Sequence, residues 1–212
     1  MLLIKFQAES MLNHNEKGQG LIEMLVAISI ILAAIVGGLS LMISSYGAGR
    51  QSMHRTVAAN LGREAIEVCK NMRDTAWINS QAFRSWFTNP SLDYSAVPLY
   101  DDVTARWTLD YLPDDISDNG ARVWLYTSGD LTGLMNNAEF FTPEETTYRR
   151  IIFFNPICYD EFSSTEYMVS DGSDCDPNET IGVKITAQLS WVEQGRTSEI
   201  FIEDRLYNWR YR

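Results

Sequence analysis

Glu23 is the only ionisable side chain between Leu21 and Ile43, a 23-residue run that is otherwise apolar or small. A run of that length spans a bilayer as a helix. A carboxylate inside such a span costs about 2.5–3.5 kcal/mol or more to insert, so it marks a functional position unless it escapes to water. Two readings follow. Either a positive group compensates Glu23, or the carboxylate, only two residues inside the span, snorkels to the headgroups.

The other chemically able residues point away from catalysis. The two histidines are His14 and His54, both near the span, so the chain after residue 54 offers none for a Ser-His or Cys-His pair or for a zinc site. Carboxylates are plentiful but fall in loops, and no glycine-rich phosphate cradle appears. Asp174-x-Asp176-x-Asn178, with Asp171 and Glu179 nearby, echoes the start of a calcium loop. It lacks the glycine at the sixth position and has Ile185 at the twelfth, which favours a solvated loop. The expectation is no enzyme, no metal and no cofactor.

Three cysteines remain. Cys158 and Cys175 lie around the polar loop 161–179 and pair naturally in an oxidising compartment. The alternative is two reduced, partly buried thiols. Cys69 falls in a helical stretch and reads as a small core residue. The formal net charge of −11 disfavours nonspecific binding to nucleic acid or anionic lipid. Arg149-Arg150 and Arg210-Tyr211-Arg212 offer at most a local basic patch.

These residues must be positioned by a few elements. No proline precedes Pro90, so one helix from about Gly20 to Trp77 is allowed, with Gly37-Gly38 and Gly47-Ala48-Gly49 as weak points. Past the span, Val57, Leu61, Ala65, Val68 and Met72 form an apolar stripe, while Arg63, Glu67, Lys70 and Asn71 lie largely elsewhere. Residues 89–102 read as a loop punctuated by Pro90 and Pro98. Strand-like segments follow at 105–112, 122–128, 148–159, 181–193 and 198–209. In the fourth, Val183, Ile185, Ala187, Leu189 and Trp191 alternate with polar residues. Glu193-Gln194-Gly195-Arg196 is a plausible hairpin turn. Trp107, Trp124, Trp191 and Trp209 read as core or sheet-face residues. The fold class is α+β: a long N-terminal α-helix, half membrane anchor and half amphipathic, packed on a C-terminal antiparallel β-sheet.

Gly18-Gln19-Gly20-Leu21-Ile22-Glu23-Met24-Leu25-Val26-Ala27-Ile28 resembles the prepilin cleavage and methylation motif of type IV pilins and type II secretion pseudopilins. The plan of short leader, long helix and sheet domain is similar too. The resemblance implies cleavage between Gly18 and Gln19 by a membrane prepilin peptidase, and N-methylation of Gln19. It also implies pairing of Glu23 with the free N-terminal amine of a neighbouring subunit, the compensating charge that the span demands. Gln19 departs from the Phe or Met usual at that position, and the leader is neutral where family leaders are basic.

The domains expected are a leader at 1–18, a transmembrane and filament-core helix at 19–53, and a globular domain at 54–212. That domain would hold a helix at about 54–77 and a sheet at about 105–209. By the resemblance, residues 21–43 hold the protein in the cytoplasmic membrane with its C-terminal domain outside. It would then enter a cell-surface filament or periplasmic pseudopilus with other subunits, as a minor pilin or pseudopilin more than a major one. A single-pass anchored binding protein that never polymerises is the competing class.

Overall fold

The computed structural model describes residues 16–88, 94–101, 104–111, 113–128, 131–136, 144–169, 175 and 180–208. Contacts divide the chain into two units, Met1–Gln51 and Ser52–Arg212. Helix α1, Glu16–Ile78, is one uninterrupted run of 63 residues. The helix is not interrupted at its glycine weak points, because a glycine weakens a helix by about 1 kcal/mol without breaking its hydrogen-bond ladder. The helix ends in a Schellman motif. Ser80 turns left-handed at φ 55°, the Gln81 N–H reaches the Ala76 carbonyl at 2.9 Å, and the Ser80 N–H reaches that of Trp77 at 3.0 Å.

In the second unit the described strands are β1 (Ser95–Asp101), β2 (Arg106–Asp110), β3 (Arg122–Ser128), β4 (Leu131–Met135), β5 (Glu144–Asp160), β6 (Thr165–Met168), β7 (Thr180–Glu193) and β8 (Arg196–Tyr207). All their pairings are antiparallel. Strand β5 is the spine. One of its edges carries β7 from Tyr148 to Cys158. The other is shared in turn by β3, β1 and β6. Strand β7 continues to β8, and β2 and β4 extend β1 and β3.

The sheet therefore begins earlier than the sequence suggests. Residues 95–101 are not loop: β1 joins β5 through Ser95 and Ala96 and β2 through Val97 to Asp101. Pro98 fits because alternate residues of an antiparallel pair do not use their N–H toward the partner. The polar stretch 161–179 is likewise not all loop, since β6 pairs Thr165–Met168 with Ile157–Asp160. Strand β4 was not legible at all. The turn at 193–196 is as expected, with Gln194 at φ 50° and Gly195 at φ 76° closing the β7–β8 hairpin.

Side-chain alternation assigns the two sheet faces. Ile152 and Phe154 of β5, Val183, Ile185, Ala187, Leu189 and Trp191 of β7 and Leu206 of β8 join Ala58, Leu61, Ala65, Ile66 and Cys69 of α1 in one buried cluster. A β-carbon on Gly62 would lie 2.6 Å from Ile202 Cδ1 and 2.8 Å from Leu189 Cδ2. Glycine thus sets how closely the helix approaches the sheet there. On the far face, Val97, Ala121 and Ile151 form a smaller core under Leu99, Ile116 and Phe153. Arg149 fastens the covering loop by donating to the carbonyls of Ile116, Ser117 and Asp118 at 3.1, 2.6 and 2.9 Å. On β8 the side chains of Glu199, Phe201, Glu203 and Arg205 on that face are exposed.

Candidate processing and assembly site

The segment singled out by the sequence lies at the start of α1. Gly18 and Gln19 have helical backbone; their side chains lie outside the described residues. Glu23 is exposed within an apolar stripe that is itself exposed all round: Leu21 is 64% accessible, Met24 65% and Val36 66%. Among the described residues this is the one helix long and apolar enough to cross a membrane. Ser29 satisfies its hydroxyl inside the helix by donating to the Leu25 carbonyl at 2.7 Å, whereas Glu23 is the one charged side chain of the run.

Gly20, Gly37, Gly38, Gly47 and Gly49 all lie in this helix, and a β-carbon added at any of them meets nothing within 4 Å. No contact among the described residues requires them to be glycine, although each weakens a helix by about 1 kcal/mol relative to alanine. A family profile described as the prokaryotic N-terminal methylation motif matches residues 13–39. The chain is prepilin-like at its N-terminus. No curated protein and no solved structure matches it. The match covers both residues of the expected scissile bond, Glu23 and most of the apolar run of this pilin-like chain.

In the second unit, Cys158 and Cys175 form a disulfide with Cα atoms 5.7 Å apart, packed with Val169. Closing a loop of this size contributes about 3 kcal/mol in the chain-entropy picture. Cys69 is buried and free, and burial pushes its thiol up to about 12. The acidic positions Asp171, Asp174, Asp176, Asn178 and Glu179 lie outside the described residues, as do Trp209 and Arg210 to Arg212. Trp191 is a core residue, whereas Trp107 and Trp124 are half-buried on strands.

The pair Arg149-Arg150 is no surface patch. Arg149 is spent on loop carbonyls, and Arg150 is wholly buried between sheet and helix. Arg150 donates from Nε to Asn136 Oδ1 at 2.8 Å, and from Nη1 to the Leu61 carbonyl at 3.2 Å and to Glu64 Oε1 at 3.1 Å. Asn136 in turn donates to the carbonyls of Ala121, Arg122 and Arg150. Burial pulls the Arg150 guanidinium below its ordinary pKa, and the Glu64 carboxylate acts against that shift. This clamp ties α1 to β3 and β5. Its sequence signal was present: Tyr148, Arg150, Ile152 and Phe154 share one strand face, and an arginine in an apolar row needs an internal partner.

Proposed function

We propose that this prepilin is held in the cytoplasmic membrane by residues 21–43 with its sheet domain outside. It is cut between Gly18 and Gln19, methylated at Gln19, and built into a type IV-like filament or secretion pseudopilus as a minor pilin or pseudopilin. In this reading Glu23 pairs with the Gln19 amine of a neighbouring subunit. Two opposite charges in an apolar surrounding attract strongly, and either one alone is costly.

The observation that carries the reading is an apolar helix stretch exposed on every side, one carboxylate in the helix's second turn, and glycines at which an added β-carbon meets nothing within 4 Å among the described residues. Small residues let helices from neighbouring copies approach closely. The test is the mass of the N-terminal peptide from native membranes or sheared filaments. A chain starting at Gln19 is expected, and Glu23→Ala should stay in the membrane yet form no filaments. A chain still starting at Met1 beside an active prepilin peptidase would leave a non-polymerising membrane-anchored binding protein as the better account.

A further inference from the structure

We propose that the solvent stripe Arg55, Ala59, Arg63 and Glu67 of α1 docks on the exposed side chains Glu199, Phe201, Glu203 and Arg205 of β8 in a second copy of the chain. This rests on the filament reading and says how neighbouring sheet domains meet. Arg55, Arg63 and Glu67 are exposed, and Ala59 is half-exposed. None of the three charged residues is in an ion pair among the described residues. On β8, Phe201 is 58% accessible between the exposed carboxylates of Glu199 and Glu203.

The two rows are commensurate. Residues four apart on a helix advance by about 6 Å along it. Residues two apart on a strand advance by about 6.6 Å and face the same side. Positive, small, positive, negative on the helix therefore meets negative, aromatic, negative, positive on the strand, step for step. Ala59 is the gap into which Phe201 fits. A row of residues four apart is inclined by about 26° to its helix axis, so the incoming helix crosses β8 at a shallow angle.

Direction and height agree as well. Within one chain Gly62 abuts Ile202, and Lys70 Nζ reaches Asp204 Oδ2 at 2.7 Å, so β8 runs in the same sense as α1. Copies assembled side by side through their N-terminal helices also run α1 in one sense. Matching Arg63 to Glu203 then needs a stagger within about one helical turn, ~5 Å. The two surfaces are different patches of the same chain, so the contact repeats head to tail from copy to copy and, where its rotation does not close into a ring, leads to an open filament. Glu203 already holds Lys184 at 2.7 Å, and its carboxylate has room for a second cation. Exposed ion pairs are individually weak, so the contact acts between copies already gathered by their helices.

The experiment is cysteine cross-linking of the full chain in sheared filaments. Cys69 is buried and Cys158 is bonded to Cys175, so the background is low. A chain carrying both Ala59→Cys and Phe201→Cys should give a ladder of dimers, trimers and higher species on mild oxidation. The two single variants, co-expressed, should give only dimers. Arg63→Glu and Glu203→Arg should each weaken the ladder several-fold, and the combination should restore it. Glu23-dependent filaments that give no ladder, or a ladder indifferent to both charge reversals, would overturn the contact alone. Absence of filaments from the unaltered chain would overturn the assembly reading together with it.

Discussion

A guanidinium with no exposed atom must find its charge partner and hydrogen bonds inside the protein; Arg150 finds them through Nε at Asn136 and through Nη1 on α1, while its Nη2 has no partner among the described residues. Removing one partner of a wholly buried pair costs about 3–5 kcal/mol, because the other charge is left uncompensated. Glu64 is 38% exposed at its side chain, so its share is smaller. Glu64→Ala should lower unfolding stability by about 2–3 kcal/mol, read as a drop in the urea midpoint of the detergent-solubilised chain. Cys69 gives a second test at this scale. Burial raises its thiol from 9.0 to about 12. The folded chain keeps that proton where the unfolded chain loses it, so the associated stability is complete below about pH 9 and lost as pH rises toward 12. In Cys69→Ala the decline of stability over this window should be shallower by one proton. At pH 8 the native thiol should resist alkylation until the protein is unfolded.

At the scale of elements, α1 closes on a left-handed residue that is not glycine. A side chain in that conformation costs about 1–2 kcal/mol, and a glycine gives part of this back through its greater freedom when unfolded. Ser80→Gly should therefore raise stability by about 0.5–1 kcal/mol, seen as a higher denaturant midpoint with an unchanged slope. The sheet depends on β5 in a different way. Its N-terminal half pairs with β3 and its C-terminal half with β6, while β7 lies along Tyr148–Cys158 on the other edge. Between Arg122 and Trp124 the β3–β5 register shifts, and the Thr146 hydroxyl fills the irregularity by donating to the Val123 carbonyl and accepting from the Tyr148 N–H.

For the whole molecule, 28 acidic residues face 17 lysines and arginines, a net charge of −11, so local pairing decides which carboxylates are stabilised. Asp204 is half-covered, which by itself raises its pKa most. The Lys70 hydrogen bond, the Arg205 N–H and the charges of Lys70 and Arg73 together outweigh this and hold it below the usual range. Glu203 is held low by its Lys184 hydrogen bond. Carboxylates depressed in the folded state stabilise it above their unfolded values near 4, and that contribution is lost as pH falls through the lower folded values. The unfolding midpoint should therefore stay level down to about pH 5 and fall below pH 4. Lys70→Met should flatten the acid limb. An unchanged acid limb in that variant would mean that Asp204 titrates normally.

The sequence by itself determined what local pattern can encode. The absence of proline before Pro90 and the unbroken apolar run specify the helix. Period-two alternation from Val183 to Trp191 specifies a half-buried strand, and Gln194-Gly195 specifies its turn. The lone carboxylate Glu23 was visible because charge in an apolar run is rare, whatever the fold. Tertiary structure decided the rest, because the information lies in pairings distant along the chain. Pro98 and its neighbours become strand only because β5 and β2 offer hydrogen bonds at the right places. The polar residues 165–168 become strand because the edge of β5 is open to them. The strand row around Arg150 shows that it needs an internal partner, but only α1, bringing Glu64 over it from 86 residues away, supplies one. The row Glu199, Phe201, Glu203 and Arg205 became a docking candidate only once strand alternation left those four side chains exposed together.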